Sequence, residues 1–193
     1  MTGLWVTCLG LAPTPAQGQE GPYAFSIRGG TTLPVGSFRD ETEGWEGRAG
    51  RGTSLAMGFT FPLFRFVGGY LGFSQHKFGC DENVCPEGNS WVSTGFDVAL
   101  RVVAGGGMVR PWVQGGVHTH RMEARIHGDA GPLSLNSEGG GGYEVGGGIL
   151  IKVAERMSLS PGVRYGLGNV PISGHPNLGI RFLVFDLGLV AGF

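Results

Sequence analysis

The chain has 193 residues, enough for one domain, with 39 glycines, 15% charged and 41% hydrophobic residues and a formal net charge of -1. The glycines follow no G-X-Y period, which excludes a collagen helix, and a near-neutral balance without any basic run excludes a nucleic-acid footprint. No apolar run approaches the ~18 residues of a transmembrane helix, so a membrane span would have to be built of strands.

The N-terminus differs in kind from the rest. Leu4-Trp5-Val6-Thr7-Cys8-Leu9-Gly10-Leu11-Ala12 is a short apolar core followed by Pro13, Pro15 and a small-x-small site at Ala16-Gln17-Gly18. This reads as an export signal over residues 1–18, cleaved before Gln19. Its basic segment is missing, which places the expected start a few codons upstream. Cys8 is not a lipid anchor, because Trp5-Val6-Thr7 makes no lipobox. Residues 19–193 form the one remaining domain.

From Tyr23 to about Thr32 the residues alternate, with Tyr23, Phe25 and Ile27 on an apolar face and Ser26, Arg28 and Gly30 on the other. Period 2 is the signature of a strand. A polar loop follows through Asp40, Glu41, Glu43, Arg48 and Arg51; then Leu55, Met57, Phe59 and Phe61 alternate with Ser54, Ala56, Gly58 and Thr60 in a second strand ending at Pro62. The third, about Phe64 to Lys77, carries hydrophobics on both parities. Placing Phe64, Phe66 and Tyr70 on the apolar side sends Arg65 and Gln75 to the other, together with Val67, Leu71 and Phe73. After it, Cys80-Asp81-Glu82-Asn83-Val84-Cys85 is expected to close a small loop as a Cys80–Cys85 disulfide in an oxidising compartment.

The fourth strand sets Val92, Thr94, Phe96, Val98, Leu100 and Val102 against Ser93, Gly95, Asp97, Ala99 and Arg101, and turns at Gly105-Gly106-Gly107. In the fifth, Val113, Gly115, Val117 and Thr119 oppose Trp112, Gln114, Gly116, His118 and His120. A long loop over about 126–139 precedes the sixth, where Tyr143, Val145, Ile149, Ile151 and Val153 oppose Glu144, Gly146, Gly148 and Lys152. Past a tight turn at Ala154-Glu155-Arg156, the seventh has Met157, Leu159, Val163, Tyr165 and Leu167 against Ser158, Ser160, Gly162, Arg164 and Gly166.

The eighth strand closes the chain. Leu183, Phe185, Leu187, Leu189, Ala191 and Phe193 make an unbroken apolar face, while Asp186, Gly188 and Gly192 lie on the other. A helix would scatter Asp186 among hydrophobics, whereas a strand between lipid and a polar lumen needs this pattern. On this ending, and more loosely on Gly29-Gly30-Thr31-Thr32-Leu33-Pro34-Val35-Gly36-Ser37-Phe38, the chain from about 23 to 193 resembles the small bacterial outer-membrane β-barrels of the OmpX, OmpA transmembrane-domain and opacity-protein type. Ala191 departs from the bulkier residue common there. The resemblance implies an all-β, eight-stranded antiparallel up-and-down transmembrane barrel, exported to the outer membrane and monomeric. It also implies that the assembly machinery reads Phe193, and that lipid, lipopolysaccharide and surface ligands of the loops are the partners. Connections support this: long ones (34–52, 77–89, 126–139, 168–176) alternate with short ones near 62, 105 and 155, as outside loops alternate with periplasmic turns.

With apolar faces outward, the lumen receives Arg28, Asp97, Arg101, Glu144, Lys152, Arg164 and Asp186. Eight strands leave room for side chains only, so these charges are expected to pair into a sealed polar network. His118 and His120 share the lumenal face and, with Glu144 on the next strand, are the candidates for a metal; membership of the polar network is the reading preferred here, with no cofactor. Hydrolysis of the lipid A deacylase kind is not expected, because His118-Thr119-His120 lacks a serine two residues after a histidine, and no enzyme activity follows. Gly139–Gly142 lacks the Lys-Ser/Thr of a phosphate-binding loop. Two rivals remain, a soluble calycin-like barrel around a small apolar ligand, which requires every facing to be inverted, and a lumenal metal-binding or lipid-modifying barrel enzyme.

Overall fold

The computed structural model describes residues 23–39, 49–80, 90–128, 131–171 and 177–193. They form β1 (Ala24–Pro34), a single 3-10 turn (Gly36–Phe38), β2 (Ala49–Pro62), β3 (Val67–Cys80), β4 (Ser90–Val103), β5 (Val109–Gly128), β6 (Gly131–Asn136), β7 (Gly140–Ala154), β8 (Met157–Val170) and β9 (Leu178–Gly192). Eight of these strands, all but β6, pair antiparallel in an unbroken circuit. The circuit shuts where β1 meets β9, from Ala24↔Gly192 to Pro34↔Phe182. The result is a closed up-and-down barrel, which satisfies every wall strand on both edges.

β6 is the one addition. The first part of β5 lies in the wall against β7, from Val109↔Ile151 to His120↔Gly140, and its last part pairs instead with β6, from Glu123↔Asn136 to Gly128↔Gly131. The stretch expected as a loop over 126–139 is therefore largely a hairpin rising beyond the barrel. Leu133-Ser134-Leu135 does alternate, but a single alternation between glycines is too short to mark a strand on its own.

The start of β1, the end of β9 and the three short turns gather at one rim, the turn end. There the amides of Leu63 and Phe64 donate to the Val67 carbonyl at 3.0 and 2.9 Å, Gly105 and Gly107 take φ of 77° and 127°, conformations that strain a residue with a Cβ, and Ala154 pairs with Met157 across Glu155-Arg156. The strand ends that flank residues 40–48, 81–89 and 172–176, together with the β5–β6 pair, lie at the opposite rim, the loop end.

Facing follows the alternation nearly everywhere. Phe96, Val113, Tyr143 and Leu187 stand outward and exposed while Arg28, Asp97, Arg164 and Asp186 are buried within. This is the reverse of a soluble calycin-like barrel, whose interior would be apolar and whose exterior polar. From Arg181 to Phe193, at ~3.3 Å per residue and a tilt of ~40°, the outward face of β9 rises about 30 Å, the thickness of a bilayer's hydrocarbon core. At the turn end the belt finishes in aromatics: Tyr23 stacks on Phe59 at 5.9 Å and on Phe193 at 6.3 Å. Aromatic rings at that level are characteristic of the membrane–water interface.

Two facings differ from expectation. On β3, Tyr70 is buried together with Ser74, His76 and Phe78, while Leu71, Gln75 and Lys77 are exposed; Phe73 packs edge-on at 5.5 Å against the outward Phe96. The register is thus the opposite of the one expected, with Phe64 and Phe66 in the turn ahead of the strand. Glycine makes the reversal possible: a Cβ at Gly58 or Gly72 would fall on the Tyr70 ring, so the large inward side chain occupies volume those residues leave empty. Lys152 is the other departure. It is exposed rather than lumenal, because a register shift between Lys152 and Ala154 ends the regular pairing of β7 with β8 at the turn rim.

Candidate functional site

The lumen is built in layers. Nearest the turn end, Trp112, Leu150 and Val190 pack with the partly buried Ala24 and Val103. At the loop end a larger apolar cluster contains Phe78, Trp91, Met122, Ile180 and Phe182, capped by Phe38. The 3-10 turn after β1 carries Phe38 inward, and its ring meets Phe78 edge-on at 5.0 Å. Polar side chains lie between the two clusters.

The first polar group is a set of charges. Arg164 donates from Nε to Asp186 Oδ2 at 2.8 Å and from Nη1 to Glu144 Oε2 at 3.2 Å, so one guanidinium from β8 bridges carboxylates on β7 and β9. Arg101 donates from Nε and Nη2 to Gln114 Oε1 at 3.0 and 2.6 Å. Arg28 is held differently. Its guanidinium carbon lies 4.9 Å from the Trp112 ring and 5.8 Å from Tyr70, and Arg101 lies 4.8 and 5.0 Å from the same two rings. Two cations thus share two aromatic faces, an attraction that strengthens away from water. The guanidinium nitrogens of Arg28 have no hydrogen-bond partner among the described residues.

Nearer the loop end is a histidine group. His118 and His120 lie with ring centroids 4.4 Å apart, and the His76 ring stacks on His120 at 5.6 Å. His120 Nδ1 hydrogen-bonds the Ser93 hydroxyl at 2.8 Å, and its Nε2 lies 3.4 Å from both Asp97 Oδ1 and Ser74 Oγ. All of these side chains are buried.

Each residue expected in the lumen can now be placed. Arg28, Asp97, Arg101, Glu144, Arg164 and Asp186 are all buried, but they do not form one network. Glu144, Arg164 and Asp186 meet directly, Arg101 pairs with Gln114, and Asp97 belongs to the histidines. Glu144 does not complete a site with His118 and His120; Asp97 takes that position. Registry explains the exchange: His118 lies opposite Asp97 on β4 and opposite Gly142 on β7, whereas Glu144 is opposite Gly116, one step deeper and beside Arg164. Tyr70, Ser74 and His76 join the lumen because β3 faces opposite to the expectation from its sequence. A usable signal did exist in the exposed polar pair Gln75 and Lys77, which share a parity with Leu71 and Phe73 at the upper edge of the belt. Cys85, the expected disulfide partner of Cys80, and the export signal over 1–18 lie outside the described residues.

Among solved structures, the chain is similar to Neisserial surface protein A, at 12% identity with a TM-score of 0.69, covering 90% of this chain and 98% of that one. The fold is that of a small outer-membrane β-barrel. OprG from Pseudomonas aeruginosa matches at 15% identity and a TM-score of 0.55, over 92% of this chain and 99% of its own. Ail, the attachment invasion locus protein of Yersinia pestis, matches at 14% identity and 0.51, over 90% and 99%. No protein-family model matches the sequence, and no curated protein matches it either. At these identities the likeness is one of backbone architecture, and the lumenal residues have to be read from this chain alone.

Proposed function

We propose that this chain is a monomeric, integral barrel of the bacterial outer membrane with a closed lumen, acting through what its long connections present at the cell surface. The observation that carries the reading is the layered interior: paired and ring-stacked charges lie between an apolar cluster at each end, inside a wall whose exterior is apolar. Buried charges of both signs with bound partners act as filling rather than as a conduit, and eight strands enclose no more than side-chain volume. Phe193 is exposed on the outer face beside Tyr23, and the short-turn rim faces the periplasm by the general rule for such barrels.

The test is made on the full chain refolded in detergent. Unboiled protein is expected to migrate faster than boiled protein on a gel, and the same preparation inserted into planar bilayers is expected to give no steady ohmic conductance. A stable open channel would overturn the closed lumen, and a soluble monomer indifferent to detergent would overturn the membrane reading.

Lipopolysaccharide is the partner that the exterior favours. Arg51, Lys77, Arg121 and Arg181 are exposed, outward-facing residues on β2, β3, β5 and β9, at the loop-end edge of the apolar belt. Cations at that level suit the phosphates of an anionic outer leaflet. Changing all four to glutamine is expected to reduce the lipopolysaccharide retained on purification while leaving heat-modifiability intact; unchanged retention would remove lipopolysaccharide from the reading.

A further inference from the structure

We propose that Asp97, His118 and His120 form a binding site for one divalent transition-metal ion of the zinc class inside the loop-end half of the lumen. One ligand atom from each residue lies within 4.8 Å of the other two, and all three residues are buried. Asp97 Oδ1 and His120 Nε2 are 3.4 Å apart. Two ligands at bond lengths of about 2.1 Å on a tetrahedral zinc ion are separated by about 3.4 Å, so this pair already stands at ligand spacing. His118 completes the set, with one ring nitrogen within 4.8 Å of the ligand atoms of the other two.

Two further observations point to a cation between these residues. The second carboxylate oxygen of Asp97 and Nδ1 of His118 are buried without a hydrogen-bond partner among the described residues, and orphaned polar atoms in a dry interior are costly. A metal ion that Nδ1 of His118 binds and that Asp97 chelates through both carboxylate oxygens satisfies both. The other ring nitrogen of His120 is also placed as such a ligand requires, since Nδ1–H can donate to Ser93 Oγ at 2.8 Å and so fix the ring with Nε2 toward the metal. A hydrogen-bonded relay through Ser93, His120 and Asp97 would leave His118 without a role.

Donor chemistry narrows the ion. Two imidazoles and one carboxylate suit zinc, cobalt, nickel or copper, and are poor for calcium or magnesium, which require oxygen ligands. A cavity of about 10 Å³ beside His118 and His120, bordered by Ser93, Gly140 and Gly168, has room for about one water, enough for a fourth ligand. The apolar cluster over the site, with Val170, Ile180 and Phe182 beside His118 and His120, means that the ion enters as the barrel folds rather than afterwards.

The experiment uses the untagged full chain, refolded in detergent with zinc or cobalt chloride, washed with chelator and analysed for metal content by mass spectrometry. About one ion per folded chain is expected, with visible d–d absorption for the cobalt form that zinc suppresses when both are present during folding. His118→Gln and Asp97→Asn should each abolish retention. Ser93→Ala should weaken it by on the order of 10- to 100-fold, and Glu144→Gln should leave it unchanged. Heat-modifiability verifies that each variant folds; if His118→Gln does not, the cobalt spectrum of the unaltered chain decides alone. Folded barrel that retains no chelator-resistant metal and shows no cobalt absorption overturns the site, as does retention that survives His118→Gln.

Discussion

Arg164→Met is expected to destabilise the barrel by about 3–5 kcal/mol, the usual cost of removing one partner of a buried ion pair. Arg164 lies between the carboxylates of Glu144 and Asp186 and bonds them at 3.2 and 2.8 Å, and without it two acids lose their hydrogen-bonded cation in a lumen short of water. Most of the loss should return in the triple variant Arg164→Met, Glu144→Gln, Asp186→Asn, because the cost arises from uncompensated charge rather than from lost attraction. Urea unfolding in phosphatidylcholine vesicles, followed by tryptophan fluorescence, measures both. If the single variant unfolds at the urea concentration of the original chain, the charges are hydrated and the lumen is not the closed interior proposed for it.

Leu187→Arg probes the outside of the same wall. Leu187 is 57% exposed, lies opposite Gly29 and Pro161 on the adjoining strands and stands midway between Arg181 and Phe193. In lipid an arginine at that depth is expected to cost about 2–4 kcal/mol, against about 0–1 for Gln75→Arg near the rim. In a water-soluble barrel an exposed leucine could be exchanged with an effect within about 0.5 kcal/mol. The depth dependence, read from the same unfolding experiment, therefore reports the solvent around the barrel.

The contrast between β3 and its neighbours shows where sequence suffices. From Val92 to Val102 on β4 and from Met157 to Leu167 on β8 the large hydrophobics share one parity, because lipid accepts only apolar side chains and the inward positions of those stretches are filled by Ser, Gly, Ala and charges. Inward β3 residues are instead Tyr70 and Phe78, as apolar as Leu71 and Phe73 outside, so period 2 loses its contrast. What fixes Tyr70 inward is Gly58 on β2, together with the guanidiniums of Arg28 and Arg101 on strands distant in sequence. The histidine group has the same dependence. That His118 and His120 face inward is plain from alternation, but whether Asp97 or Glu144 joins them turns on a two-residue difference in register between β5 and its neighbours, which is set by the closed sheet as a whole.

Closure of the wall has a consequence for how such a chain enters a bilayer. Arg28 is on the first strand, Asp186 on the last, and Arg164 and Glu144 on the two before it, so the charge layer is completed only when β1 zips to β9. Any half-assembled sheet would offer lone guanidiniums and carboxylates, as well as two bare backbone edges, to hydrocarbon that can satisfy neither. Insertion is therefore expected to be all-or-none, with partial products held at the water interface and only the finished cylinder stable at full depth.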